Sequence, residues 1–203
     1  MILRSRFRIL AGIITLLVCQ AAANAQAGDT QRGRALSETC LGCHGVDTLT
    51  NVYPTYKVPK LGGQYADYIA ASLNGYKSKD RAHATMHSQA FDLTADEMRD
   101  IGAYFESLGA DESTAKGTMP EAASTCTACH GDTGKGISSA FPSLNGQHAD
   151  YLAAALSQYK SGERKNAIMA GFVGTLSDDD IEALANYYAS QPGLSQPERD
   201  GGS

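Results

Sequence analysis

The sequence predicts an all-α protein built as two tandem copies of one small helical unit, and three observations predict it. The stretch "PKLGGQYADYIAASLNGYKSKDRAHATM" from Pro59 to Met86 returns as "PSLNGQHADYLAAALSQYKSGERKNAIM" from Pro142 to Met169, at a constant offset of 83 residues. Apolar residues within each copy recur at helical spacing behind capping residues. Strand-like alternation is absent. Two copies are too few to stack into a solenoid, so two similar domains are expected.

Residues 1–25 read as a secretory signal peptide. Arg4, Arg6 and Arg8 precede an apolar run from Ile9 to Cys19 and the small-residue site Ala23-Asn24-Ala25. The run is too short for an ordinary membrane span, so export to the periplasm is expected. Cleavage removes three arginines and one of the five cysteines, taking the net charge from −5 to −8. No basic block or tail is present, which excludes nucleic acid as a partner. The remainder divides into a first domain at 26–108, a linker at 109–124 rich in small and polar residues, and a second domain at 125–203.

Within the first copy, a short helix from Gln31 to Thr39 leads to a cysteine motif. A second helix from Ala66 to Tyr76 carries Tyr68, Ile69, Leu73 and Tyr76 on one face. A third, from Thr94 to Leu108, opens on the capping box Thr94-x-x-Glu97, with Leu93 and Met98 as a hydrophobic staple. The second copy repeats this with Ser177-x-x-Asp180, a weaker box, and Leu176 facing Ile181. Such a unit has little core for its surface, and something large and apolar must help fill it. Lys57, Lys60, Lys77, Lys79 and Arg81 gather around the middle helix of copy one; the plain reading is a solvated face with Arg81 and Arg164 engaged by propionates or carbonyls, and the sharper one is an edge that meets an acidic partner.

The chemistry lies in "CLGCHG" at Cys40–Gly45 and "CTACHG" at Cys126–Gly131. A four-cysteine zinc site would need the two pairs to converge across a whole repeat and would leave both histidines unexplained. Plain disulfides suit an exported protein but give no reason for His44 and His130. A thioredoxin-like dithiol centre sits beside βαβ patterns, which are missing. Cys-x-x-Cys-His is the attachment signature of c-type haem, with the histidine as proximal iron ligand. Two such motifs in an exported chain imply two covalently bound haem c groups, attached through Cys40 and Cys43 and through Cys126 and Cys129. For the sixth ligands, Met86 and Met169 match one another across the repeat, in loops before the last helix of each copy. Met98 is matched by an isoleucine, and Met119 has no counterpart. His83 and His87 compete for the first iron only on residue type, since their counterparts are Asn166 and Ala170. Pro59 and Pro142 are matched, and their carbonyls suit the second ring nitrogen of each ligating histidine.

Paired haem motifs, paired methionines, "P-x-L-x-G-Q" and "Y-K-S-x-x-R" in units of this size resemble the dihaem cytochrome c4 family over essentially the whole chain after the signal peptide. The resemblance implies two class I cytochrome c domains, each wrapped around one haem and facing the other across an interface. It implies His44, Met86, His130 and Met169 as axial ligands. It further implies an exported electron carrier rather than an enzyme, with an upstream donor, a membrane terminal oxidase as partner and loose peripheral membrane association. The same fold also serves as the dihaem subunit of a flavocytochrome c sulfide dehydrogenase or a similar periplasmic dehydrogenase, the alternative reading. The "NVYPTYKV" insertion and the lack of a second-copy partner for Gly33 depart from the family's pattern.

Overall fold

Asp29 starts the first helix: its side chain accepts from the backbone N–H of Gln31 and Arg32. The protein, seen in a computed structural model, is described over residues 27–198. The expected signal peptide lies outside the described residues. Helix α1 (Thr30–Leu36) and helix α2 (Glu38–His44) replace the single helix expected from Gln31 to Thr39. The break falls at Ser37, whose hydroxyl bonds back to the Gly33 carbonyl at 2.7 Å and competes with the helical ladder.

Helices α3 (Ala66–Ser78), α4 (Ala84–Ala90) and α5 (Ala95–Ser107) complete the first copy. Thr94 and Glu97 exchange both bonds of the capping box at the head of α5. Met98 is buried in the same core as Leu93, as the staple requires. Helix α1 crosses α5 so closely that a Cβ on Gly33 would lie 1.9 Å from the Asp100 carbonyl oxygen. At that crossing the buried Asp100 carboxylate accepts from the Asp29 N–H at 2.7 Å and pairs with Arg32 at 2.5 Å. Ile101 and Phe105 of α5 pack with Ile69 and Leu73 of α3 to make the first core.

The second copy opens differently. A 3-10 turn at Glu121–Ala123 leads to α6 (Thr127–His130), α7 (Ala149–Ser161), α8 (Ala167–Val173) and α9 (Asp178–Ser190). Fully buried Ala123 packs with Leu184 and Tyr188 where α1 packs in the first copy. Without that helix crossing, the second copy needs no counterpart of Gly33. Among the described residues there is no sheet, only three isolated β-bridges.

The copies meet face to face, and three sets of their contacts occur twice, related by the 83-residue offset. Gln64 donates to the Ser143 carbonyl at 2.9 Å and accepts the Ser143 N–H at 3.0 Å. Gln147 does the same with Lys60, both at 2.9 Å. Arg81 donates to the Tyr151 hydroxyl at 2.5 Å, and Arg164 to the Tyr68 hydroxyl at 2.6 Å. Arg81 and Arg164 also face one another in an antiparallel bridge. Of the basic edge read in copy one, Lys60 and Arg81 turn into the interface, while Lys77 and Lys79 are exposed. Lys60 donates its ammonium to the Gly146 carbonyl, Lys77 caps the Leu93 carbonyl, and Arg81 is turned into the interface.

Candidate functional site: two Cys-x-x-Cys-His centres on one cavity

Helix geometry brings each motif together. Cys40 and Cys43 stand three residues apart on α2, hence on one face, and His44 ends that helix. In the second copy Cys126 caps α6, Cys129 lies within it and His130 ends it. Gly131 then takes φ +71°, left-handed backbone that a glycine adopts freely, whereas Gly45 has an ordinary φ of −93°. No disulfide joins the four cysteines of the two motifs. Burial pushes the Cys40 and Cys126 thiols up, the opposite of an activated redox dithiol. No three His, Cys, Asp or Glu residues converge among the described residues, so no zinc cage is built.

Both histidines are buried, at 8% and 6% exposure. His44 Nδ1 donates to the Pro59 carbonyl at 2.8 Å, and His130 Nδ1 to the Pro142 carbonyl at 3.0 Å, as the matched prolines suggest. Burial drives the His44 pKa down to about 4, and burial also lowers that of His130. Each ring is thus a neutral imidazole whose Nδ1–H is committed, leaving the Nε2 lone pair for a metal.

Met86 and Met169 occupy α4 and α8, not the loops expected. The reason is local capping. His83 Nδ1 accepts the Met86 N–H at 3.3 Å, and Asn166 Oδ1 accepts the N–H groups of Ile168 and Met169 at 3.0 and 3.1 Å. His87 Nδ1 donates to the Tyr76 carbonyl at 2.9 Å. His83 and His87, the rival ligands by residue type, each have a structural hydrogen bond.

Cys40, His44 and Met86 line one side of a cavity of about 680 Å³, and Cys126, His130 and Met169 line the other. Arg81 and Arg164 also line it, each stacked on a tyrosine ring, Tyr76 at 4.4 Å and Tyr159 at 4.5 Å. Among the described residues no carboxylate pairs with either guanidinium. Burial would push the Tyr68 hydroxyl up, but the Arg164 and Arg81 charges outweigh it and bring it down to about 8. A buried cation without an anion is costly. The donor set therefore fits haem: thiols for thioether links, a neutral imidazole and a thioether sulfur per site, apolar walls, and two guanidiniums suited to propionate carboxylates. The arginine, tyrosine and glutamine pairs went unassigned to the interface in the sequence, although their matched positions in the repeat carried the signal.

This fold and these centres define an electron-carrying c-type cytochrome with two covalent haem c groups. Residues 30–109 and 120–191 each match the cytochrome c family. Cytochrome c4 of Pseudomonas aeruginosa is 33% identical over 179 residues, 79% of this chain and 88% of that protein. The thiosulfate dehydrogenase electron acceptor of Stutzerimonas stutzeri is 32% identical over 206 residues, 89% of this chain and 93% of that one. The structure of reduced cytochrome c4 from Pseudomonas stutzeri superposes with a TM-score of 0.65 at 31% identity, covering 81% of this chain and all of that one. The chain belongs to the dihaem cytochrome c4 family.

Proposed function

We propose that this chain is an exported, periplasmic dihaem cytochrome that carries single electrons in a respiratory chain, from an upstream donor to a membrane terminal oxidase. Its domains follow the repeat, at 26–108 and 125–203 with the linker at 109–124. Cys40 and Cys43, and Cys126 and Cys129, would form the thioether links; His44 with Met86, and His130 with Met169, would ligate the two irons. Bound haem supplies reversible one-electron chemistry at its iron. His44 and His130, held neutral and aimed by proline carbonyls, present Nε2 in a fixed orientation. Arg81 and Arg164 hold the propionates, and the apolar walls exclude water. With a histidine and a methionine to ligate each iron, neither centre would keep an open position for a substrate, which favours a carrier over a catalyst.

The observation that carries this reading is the single cavity lined by both centres, which gives an electron received by one copy an internal route to the other. Ile168 (62% exposed) and Phe172 (48%) flank Met169 and present an apolar surface to a partner. The matched residues in copy one are Thr85 and Gln89. A second reading, acceptor subunit of a periplasmic dehydrogenase, is favoured by the relative named a thiosulfate dehydrogenase electron acceptor. The test mixes the reduced protein with membranes containing a terminal oxidase and follows its reoxidation. Separately, the oxidised protein is mixed with thiosulfate and thiosulfate dehydrogenase. Rapid reoxidation by the membranes is expected. Reduction by the dehydrogenase system with no reaction at the oxidase moves the assignment to the second reading.

A further inference from the structure

The segment that follows α9 leaves its own copy and reaches the first. Gln191 anchors it to the linker, exchanging bonds with Lys116 at 2.9 and 2.7 Å. Leu194 N–H bonds to the Asn145 carbonyl at 2.8 Å, and Asn145 Nδ2 to the Pro192 carbonyl at 2.7 Å. Beyond this point Ser195 and Gly62 exchange both backbone bonds at 3.0 Å. A Cβ on Gly62 would lie 2.4 Å from the Ser195 hydroxyl oxygen, so glycine is needed for the approach. Finally, the Gln196 side-chain amide donates to the His44 backbone carbonyl.

These contacts act on one small frame. The His44 imidazole is aimed by the bond from its own Nδ1 to the Pro59 carbonyl, so its direction depends on where the backbone holds residue 44 and residue 59. The tail holds both: Gln196 binds the His44 carbonyl, and Ser195 binds Gly62, three residues from Pro59. The second copy keeps a counterpart of one contact, since Leu194 N–H bonds to Asn145, the match of Gly62, but among the described residues no side-chain amide meets the His130 carbonyl. Residue 113, which matches 196 at the repeat offset, lies in the linker and turns its N–H to Asp111 at 2.9 Å.

We propose that residues 191–198 brace the proximal side of the first haem, with Gln196 as a positioning residue that sets that haem's potential apart from the second. This rests on His44 being the proximal ligand. An amide N–H donated to the ligand's carbonyl draws negative charge away from the iron. Oxidised iron, carrying one more positive charge, gains from that negative charge, so its removal favours the reduced state. The C-terminal tail of one copy thereby tunes the centre of the other.

The test is a spectroelectrochemical titration of the holoprotein, resolved into two one-electron waves. Gln196→Ala is expected to move one wave to lower potential by about fivefold in the reduction equilibrium, about 40 mV at 59 mV per tenfold. Gln196→Glu moves it further, and deletion of residues 195–203 moves it at least as far as Gln196→Ala. The other wave stays in place. Repeating Gln196→Ala in a Met86→His background, which displaces the first haem's wave, identifies the wave that moved. If both waves move together, or neither moves in Gln196→Ala and the deletion, the brace does not set the potential and the proposal falls. If Met86→His displaces no wave, the axial-ligand reading fails instead.

Discussion

Replacing Gln64 by alanine removes one primary amide that joins the two copies through two hydrogen bonds, to the N–H and the carbonyl of Ser143. Ser143 is only 6% exposed, so neither group regains water easily. The loss combines two hydrogen bonds of about 1 kcal/mol each with a desolvation cost of about 1–3 kcal/mol for a stranded group, or about 2–4 kcal/mol after partial relaxation. At about 1.4 kcal/mol per tenfold, the population with the interface open rises about 30- to 700-fold. Amide hydrogen exchange at Lys60 in the holoprotein, whose N–H bond to Gln147 the substitution leaves intact, reads that population. Gln147→Ala is read in the same way at Ser143, whose N–H bonds to Gln64. Lys60 exchange within about threefold of the parent in Gln64→Ala would refute the reasoning, since the open population is then set elsewhere.

Cys40→Ala with Cys43→Ala is expected to leave a protein with one covalent haem, read by mass and by haem staining after acid denaturation. Met86→Ala and Met169→Ala should each remove about half of the weak far-red sulfur-to-iron band and open one iron to cyanide, as expected for Met/His ligation. The Glu97 carboxyl is held low by the Thr94 backbone N–H and hydroxyl, and that of Asp180 by the Ser177 hydroxyl and N–H. Their folded values lie below their unfolded ones. The stabilisation is therefore complete above the ordinary carboxylate range and is lost as pH falls through the lowered values. Glu97→Gln and Asp180→Asn should flatten the acid limb of stability in urea titrations as pH falls from the ordinary carboxylate range through the lowered values.

Much of this was legible because the chain carries its own comparison. The repeat marked Met86 and Met169 against Met98 and Met119, and it singled out the prolines whose carbonyls bind the two histidines. Capping boxes located α5 and α9, since a Ser or Thr three residues before an acid satisfies helix N–H groups locally. Three features were not legible. The short helices bearing the methionines depend on the His83 and Asn166 caps, and histidine is not a common cap. Ser37 divides α1 from α2 by a bond to a carbonyl four residues back, which periodicity does not reveal. Within the basic cluster of copy one, Lys60 and Arg81 point into the interface, which composition does not reveal because it records charge but not direction.

The paired contacts between the copies have the logic of a dimer of identical chains, in which each residue of an interface meets its partner twice. A true dimer repeats every change, so a substitution that adapts one end to a donor alters the end that meets the acceptor. Fusion within one chain lifts that restriction. The inner face keeps its reciprocal glutamines, arginines and tyrosines, while the exposed Thr85 and Gln89 of one copy are free to differ from the exposed Ile168 and Phe172 of the other. Symmetry inside and difference outside make the molecule a polar object, with a front and a back between which an electron can be given a direction.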